Sequence, residues 1–374
     1  MSFIPYGRQS ISDEDVDAVL KVLRSDWLTQ GPAIPEFESV VAAYAGVQHA
    51  VAVSNGTAAL HLACLAMGLG PGDTLWTSPN TFVASANCAL YCGAQVDFVD
   101  IDPVTWNLDA VALEAKLIQA EAVGKLPQIV VPVHFAGQSC DMQSIRALAD
   151  RYGFMILEDA SHAIGGSYQG LPVGSCRYSD AVVFSFHPVK VVTTGEGGMV
   201  VTNDASLAER IRTLRTHGIT RDPEAMTQEA DGSWYYEQLS LGFNYRITDL
   251  QCALGTSQMG RLHSFVERRN ELARRYDELL RDMPLTLPIV REDVRSAWHL
   301  YVVLLDNSAL RREAFERMRT ADIGVNVHYI PVHTQPHYRE MGFSHGDFPV
   351  AENYYQRAIS LPMFPAMTNS EQDK

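Results

Sequence analysis

Lysine is the residue this chain of 374 amino acids nearly does without: 29 positions are basic, yet only Lys21, Lys116, Lys125, Lys190 and Lys374 are lysines. No apolar run approaches the roughly 20 residues of a membrane span, and the opening MSFIPYGRQSISDEDVD lacks the basic and apolar regions of a secretion signal. Both absences predict a cytoplasmic location and no membrane contact. Cys64, Cys88, Cys92, Cys140, Cys176 and Cys252 show no CxxC spacing and no HExxH is present, so neither a disulfide framework nor a metal site is expected. An excess of positive charge is missing too. A formal net charge of −15 argues against a nucleic-acid partner and gives no reason to expect an anionic membrane surface.

What is present is a globular composition, 47% hydrophobic and 20% charged, in a chain too long for one ordinary core. A capped helix fits Ser12 to Ser25. From there to about residue 205, seven short β-rich runs (HAVAVS, TLWTS, AQVDFVD, QIVVPV, FMILED, DAVVFSF and GGMVVT) alternate with helical patterns, which predicts a mostly parallel seven-stranded sheet sandwiched by helices. From Asp249 a long helix, interrupted near Gly255 or Gly260, leads into a smaller α/β unit. Its expected strands are HLYVVLLD and VNVHYIP, and its expected helices run from Ala309 to Thr320 and from Ala351 to Ile359. The expected division is a large domain over residues 1–248 and a bridging helix with a small C-terminal domain over 249–374. THGITRDPEAMTQEADGSWYYEQ reads as a long loop. In MTNSEQDK, Thr368, Asn369 or Ser370 caps a helix with too few residues after it, so a helix is expected to continue beyond Lys374 in the natural chain.

Four stretches carry chemistry. AVSNGTAALHLA runs a strand into Asn55, Gly56 and Thr57 before an apolar helix, offering free N–H groups at the positive end of a helix dipole. FMILEDASHAIGG closes a strand with Glu158 and Asp159 and places His162 three residues on. FSFHPVK puts Lys190 after a buried-looking strand, where burial can lower a lysine pKa from about 10.4 by roughly 3 to 5 units and free the amine as a nucleophile. LGFNYRITDLQCALG sets Asn244 and Arg246 before a helix that Thr248 or Asp249 caps. Alone, each reads as a cap, a core histidine, a snorkelling lysine or a turn. Together they supply a phosphate cradle, a carboxylate for a ring nitrogen, a Schiff-base lysine and a second anion contact, the set that pyridoxal 5'-phosphate requires. The tail histidines His333 and His337 flank Pro336, which disfavours a zinc-binding helix.

With SNGTAAL, PNTFVASAN, LEDASHAIGG, FSFHPVK, TGEGGMVVTND and GFNYRITDLQCALG in this order, the chain resembles the DegT/StrS sugar-nucleotide aminotransferases from about Ile4 to Phe364. The resemblance implies fold type I of the pyridoxal phosphate-dependent transferases, like aspartate aminotransferase. It further implies that Lys190 holds the cofactor aldehyde and shuttles protons, and that Asp159 pairs with the pyridine nitrogen. His162 is implied beside the phenolic oxygen, Phe82 on the ring, and Gly56, Thr57 and Ser185 at the phosphate. Asn244 is implied to reach the phosphate in a neighbouring subunit, hence a homodimer with shared active sites. SDWLTQGP, FHPVK and VNVHYIPVHTQPHY look most like the branch that aminates C4 of a UDP-linked keto-sugar in pseudaminic acid synthesis, with L-glutamate as donor. On that resemblance the substrate-facing positions are Tyr6, Trp27, Leu28, Thr29 and Gln30, with Val325, Asn326, His328 and Tyr329 from the segment 324–329. Other keto-sugars, or a non-catalytic cofactor-binding regulator, are the alternative readings. A sibling branch of dehydratases carries histidine where this chain has Lys190.

Overall fold

The seven β-rich runs join, in the expected positions, into one sheet. In the computed structural model, which describes residues 3–374, they are β1 (His49–Val53), β2 (Thr74–Thr77), β3 (Gln95–Phe98), β4 (Ile129–Val131), β5 (Met155–Asp159), β6 (Ala181–Ser185) and β7 (Gly198–Thr202). Their lateral order is β1-β7-β6-β5-β4-β2-β3. The five strands from β6 to β3 run parallel, while β7 is antiparallel to both β1 and β6. Such a sheet needs cover on both faces, and its strands are accordingly apolar nearly throughout.

Alternate residues of each strand point to opposite faces, so two helical layers are buried separately. Val51, Val53, Leu157, Val183 and Val200 pack with α3 (Gly56–Ala66), α4 (Ala84–Tyr91) and α7 (Ala205–Arg215). Ala50, Ala52, Val182, Phe184 and Met199 face the other way, onto α2 (Ala33–Ala45) and α8 (Asp249–Met259). Trp76, Val130 and Ile156 on that same reverse face pack with α5 (Ala110–Ala122) and α6 (Met142–Tyr152). The first helix, α1 (Asp13–Leu23), starts at a Ser12 capping box.

The expected interruption falls at Gly260, between α8 and the 19-residue α9 (Leu262–Leu280). Beyond it, β8 (Leu285–Thr286), β9 (Tyr301–Leu305) and β10 (Ala358–Leu361) form an antiparallel sheet in the order β8-β9-β10, accompanied by α10 (Arg311–Thr320) and α12 (Pro349–Arg357), with the short α11 (Pro336–Glu340) between them in the chain. Ile4 bridges to Ile323 and packs in this C-terminal cluster, so the chain start is fastened to its far end.

Two expectations need correction. VNVHYIP is not a strand: its single pairing is an isolated bridge from Asn326 to Ser360, and the chain then turns toward the large sheet. The helix expected to end at Ile359 stops at Arg357, because Ala358–Leu361 extends to pair with β9. Of the three candidate C-terminal caps it is Thr368 that forms a capping box with Glu371 and opens α13 (Asn369–Asp373). The stretch from Thr216 to Gln238 is irregular apart from Ile219–Thr220 pairing with Glu237–Gln238. Among the described residues, no helix is long and apolar enough to cross a membrane.

Candidate active site

At the carboxyl ends of the parallel strands lies a cavity of about 800 Å³, the position where open α/β sheets bind ligands. Strand periodicity decides which side chains enter it. Asp159 and Ser185, the last residues of β5 and β6, share the face of Leu157 and Val183 and point toward the α3 side. Glu158 points to the opposite face. There it bonds His134 Nε2 at 2.6 Å and Ser179 Oγ at 2.5 Å.

The floor at α3 has the donors to hold an anion. Asn55 caps the helix, accepting from Ala58 N–H at 2.8 Å, so the first N–H groups at Gly56 and Thr57 remain free of helix partners. Gly56 is tightly placed: a Cβ there would lie 3.0 Å from the Ser185 Cβ, so Ser185 would have to yield. Gly198 on β7 is tighter still, since a Cβ would come within 2.3 Å of the Asn55 carbonyl oxygen. Both glycines let three chain segments converge on one small pocket.

Lys190 enters from the turn between β6 and β7, where its N–H donates to His187 O. Burial lowers its pKa to about 8, against the opposing pull of the Asp159 carboxylate. Asp159 is itself oriented by Ser85 Oγ at 2.6 Å and the Ser161 N–H at 3.1 Å, and Ser85 in turn bonds Thr81 Oγ1. Lys190 is the only lysine or arginine among the described residues of the cavity wall, which also carries two carboxylates, Asp159 and Glu196.

On the far wall, His162 Nδ1 accepts from the Ala136 N–H at 3.3 Å, and its Nε2 lies 3.1 Å from Tyr329 Oη. Burial holds His162 well below the ordinary histidine pKa, with Lys190 and His328 adding to the shift. His328 bonds Ser360 Oγ at 2.7 Å and Asn326 at 3.3 Å, and burial beside Lys190 lowers its pKa to about 3. Tyr6 packs on His328, and Phe82, largely exposed, packs toward Tyr329 at a ring separation of 6.3 Å.

The structure therefore brings Lys190, Asp159, His162, Gly56, Thr57, Ser185, Phe82, Tyr6, Asn326, His328 and Tyr329 to one cavity. Six expected residues lie outside it. Val325 is buried in the C-terminal core. Trp27, Leu28, Thr29, Gln30 and Asn244 are exposed on the surface of the chain. The Trp27 to Pro32 segment is anchored by Asp249, which is buried and accepts from the N–H groups of Gly31 and Ala33. Thr248 caps α8 through a capping box with Gln251, which leaves Asp249 free for this cross-chain contact.

Sequence reasoning missed Ser85, Glu196 and His299. Ser85 sits within PNTFVASAN, at the start of α4 and four residues after Thr81, and that close pairing of two hydroxyl residues was its available signal. Glu196 stands unannounced between two glycines, and His299 was hidden at the start of an apolar strand pattern. The tail histidine His333 is spent elsewhere, on Glu352 at 2.8 Å.

The donor set suits pyridoxal phosphate: a helix N-terminus with a serine for phosphate, a carboxylate for a ring nitrogen and a buried amine for the aldehyde. Fold and site together define a pyridoxal phosphate-dependent transferase of fold type I. The chain matches the DegT/DnrJ/EryC1/StrS aminotransferase family over residues 9–374 and belongs to that family. It is 44% identical to the spore coat polysaccharide biosynthesis protein SpsC of Bacillus subtilis (strain 168), across 99% of this chain and 95% of that protein. PseC of Helicobacter pylori, an aminotransferase involved in pseudaminic acid biosynthesis, superposes with a TM-score of 0.91 at 31% identity, covering 100% of this chain and 96% of that one. DesV of S. venezuelae superposes with a TM-score of 0.88 at 31% identity, over 100% and 96% of the two chains. The protein is thus a pyridoxal phosphate-dependent sugar aminotransferase.

Proposed function

We propose that the protein moves the amino group of L-glutamate to C4 of a UDP-linked 4-keto-6-deoxy-N-acetylhexosamine, as in pseudaminic acid synthesis. The observation that carries the aminotransferase reading is Lys190 in the cavity, its pKa lowered to about 8 by burial and facing Asp159. The similarity to PseC supports the C4 keto-sugar.

Pyridoxal phosphate, when bound, supplies an electron sink through which an amino group and a proton change places. The chain supplies the rest. Gly56, Thr57 and Ser185 would hold the cofactor phosphate by N–H and hydroxyl donation, Phe82 would cover its ring, Asp159, set by Ser85 and Ser161, would pair with its ring nitrogen, and His162 would stand beside its phenolic oxygen. Lys190 Nζ takes the proton from the donor's α-carbon in the first half-reaction and delivers one to the sugar carbon in the second. With a pKa near 8 it exchanges protons in both directions near neutral pH. Tyr6, Asn326, His328 and Tyr329 contact the sugar, and Val325 backs them from the core.

A second copy of the chain completes this reading. One lysine is too little positive charge for a cofactor phosphate, a nucleotide diphosphate and the carboxylates of glutamate. Asn244, Trp27, Leu28, Thr29 and Gln30 lie outside their own cavity, and Gln30 and Arg246 border a separate hollow of about 370 Å³. We assign these residues to the neighbouring active site of a homodimer. Mixing inactive Lys190→Ala with inactive Asn244→Ala should restore activity through mixed dimers; no recovery removes the shared site.

The test of the reaction is spectroscopic. Holoenzyme should lose its visible cofactor absorbance on adding glutamate and regain it with a UDP-linked 4-keto sugar, and Lys190→Ala should complete neither half. An unchanged spectrum with glutamate defeats the donor assignment. The higher identity to SpsC favours a second reading, a different nucleotide-linked keto-sugar. Recovery with a dTDP-linked but not a UDP-linked acceptor selects it.

A further inference from the structure

Two turns meet behind the far wall of the cavity, one at Ala136 and Gly137 and one from Ser296 to His299. The turn from Ser296 to His299 contains Trp298 at φ +48°, a conformation that large side chains avoid. It is held there from several sides. Ser296 Oγ accepts from the Trp298 N–H at 3.0 Å, and the buried Arg269 guanidinium donates through Nη1 to the carbonyls of Trp298, His299 and Met363 at 3.0 to 3.2 Å. On the other side lies Gly137, at φ +107°, where a Cβ would fall 2.7 Å from Trp298 N and 2.9 Å from His299 N. The Ala297 N–H donates to Gly137 O, and the Leu300 N–H to Ala136 O. Ala136 itself has φ +58°.

These contacts deliver two groups to His162. One is the Ala136 N–H, donated to Nδ1. The other is the His299 ring, 4.4 Å from the His162 ring with the planes tilted by 41°. His299 is buried in the cavity wall, its Nδ1 has no partner, and burial keeps it well below the usual histidine pKa. Because Nδ1 of a neutral His162 accepts, its proton resides on Nε2 and is donated to Tyr329 Oη. The Tyr329 hydroxyl proton is then free to point into the cavity.

We propose that His299 is a positioning residue: its ring fixes the plane of the His162 imidazole, so that the Ala136 N–H keeps its bond to Nδ1, the Nε2–H tautomer persists, and the Tyr329 hydroxyl donates to the bound substrate. His299 acts through His162 and touches no reacting atom. The assignment rests on the site reading above for its effect on turnover, but the tautomer lock is a property of the folded chain and is measurable without cofactor.

The experiment is nitrogen-15 histidine NMR of the cofactor-free protein at one near-neutral pH, with His162→Asn used to assign the signals. The wild type should show His162 as a single Nε2–H tautomer. His299→Ala, and His299→Leu as a space-filling control against collapse, should show a mixture of both tautomers, while His299→Phe, which keeps a flat ring, should retain the single form. In the holoenzyme kcat should fall about tenfold or more for Ala and Leu with KM for glutamate changing less than threefold, and Phe should recover to within about threefold of wild type. An unmixed Nε2–H tautomer in both Ala and Leu variants overturns the lock, whatever the kinetics. A wild type that neither binds pyridoxal phosphate nor transaminates defeats the functional reading and leaves the NMR result standing by itself.

Discussion

Glu158 and Asp159 are neighbours in sequence, of one chemical kind, and both close β5, yet they end on opposite faces of the sheet with opposite employment. Asp159 faces the cavity with Ser85 and one backbone N–H for company. Glu158 faces the reverse side, where His134 and Ser179 bond it and leave nothing for a ligand. His134 also ties the two together, since its backbone N–H donates to Asp159 O at 3.0 Å and its Nδ1 accepts from the Cys140 N–H. The period of two in a strand thus separates a carboxylate turned to the cavity from one consumed by the fold.

The largest effect should come from breaking this division on the cavity side. Asp159→Asn should lower turnover about 1,000-fold while thermal stability changes little, because an amide cannot hold a protonated ring nitrogen. Glu158→Gln should leave the half-reaction with glutamate within about threefold of wild type. Equal losses in the two variants, read by single-turnover loss of the visible band, would erase the distinction.

On the reverse face the readout is stability. Glu158→Ala strands the buried His134 and Ser179 without their acceptor and should cost about 3 kcal/mol, measured by urea unfolding. A third measurement concerns the lysine facing Asp159. Its folded pKa of about 8 lies below the unfolded value near 10.5, so below pH 8 folding carries a penalty for burying the charged amine. Between about pH 8 and 10.5 the unfolded chain binds more protons than the folded one, and the Lys190 contribution to stability rises with pH. Lys190→Met should therefore stabilise the cofactor-free protein at pH 7, by at most about 3 kcal/mol, with the gain fading toward pH 10.5. A gain that does not fade with pH would place the amine in water.

The same contrast explains what could be read before the structure. Lys190, Asp159 and the Asn55 to Thr57 cradle were legible because each follows a strand with clear apolar patterning, and strand ends of a parallel sheet must converge. The α2 helix was not, because Pro32 and Pro35 open it; they fit only because N–H groups in a first helical turn have no intrahelical partner to lose. The 325–331 run has strand-like residues but only one bridge, since sheet pairing is a tertiary decision. His299 was invisible for a different reason: its placement depends on a positive φ at Trp298, enforced by Arg269 and Gly137 from distant parts of the chain. Trp27 to Gln30 were assigned by resemblance alone and Asn244 by its place in an anion-seeking loop before α8 as well, and one chain leaves all five outside their own cavity.

The finest test of the two faces uses the two serines, because each gives one hydroxyl hydrogen bond to one carboxylate at nearly the same length, 2.6 Å from Ser85 to Asp159 and 2.5 Å from Ser179 to Glu158. Removing either hydroxyl deletes the same bond in chemical terms. Ser179→Ala should cost about 1 to 2 kcal/mol of stability and leave kcat unchanged, because Glu158 retains His134 and lies away from the cavity. Ser85→Ala, which also leaves the buried Thr81 hydroxyl without its partner, should cost a similar amount of stability but, on the role proposed for Asp159, should lower kcat several-fold by letting the carboxylate rotate away from the ring nitrogen. The measurement is a pair of numbers per variant, an unfolding midpoint and a kcat. If both serines move both numbers equally, strand parity does not separate the chemical face from the structural one, and Asp159 is held in place by the sheet rather than by its serine.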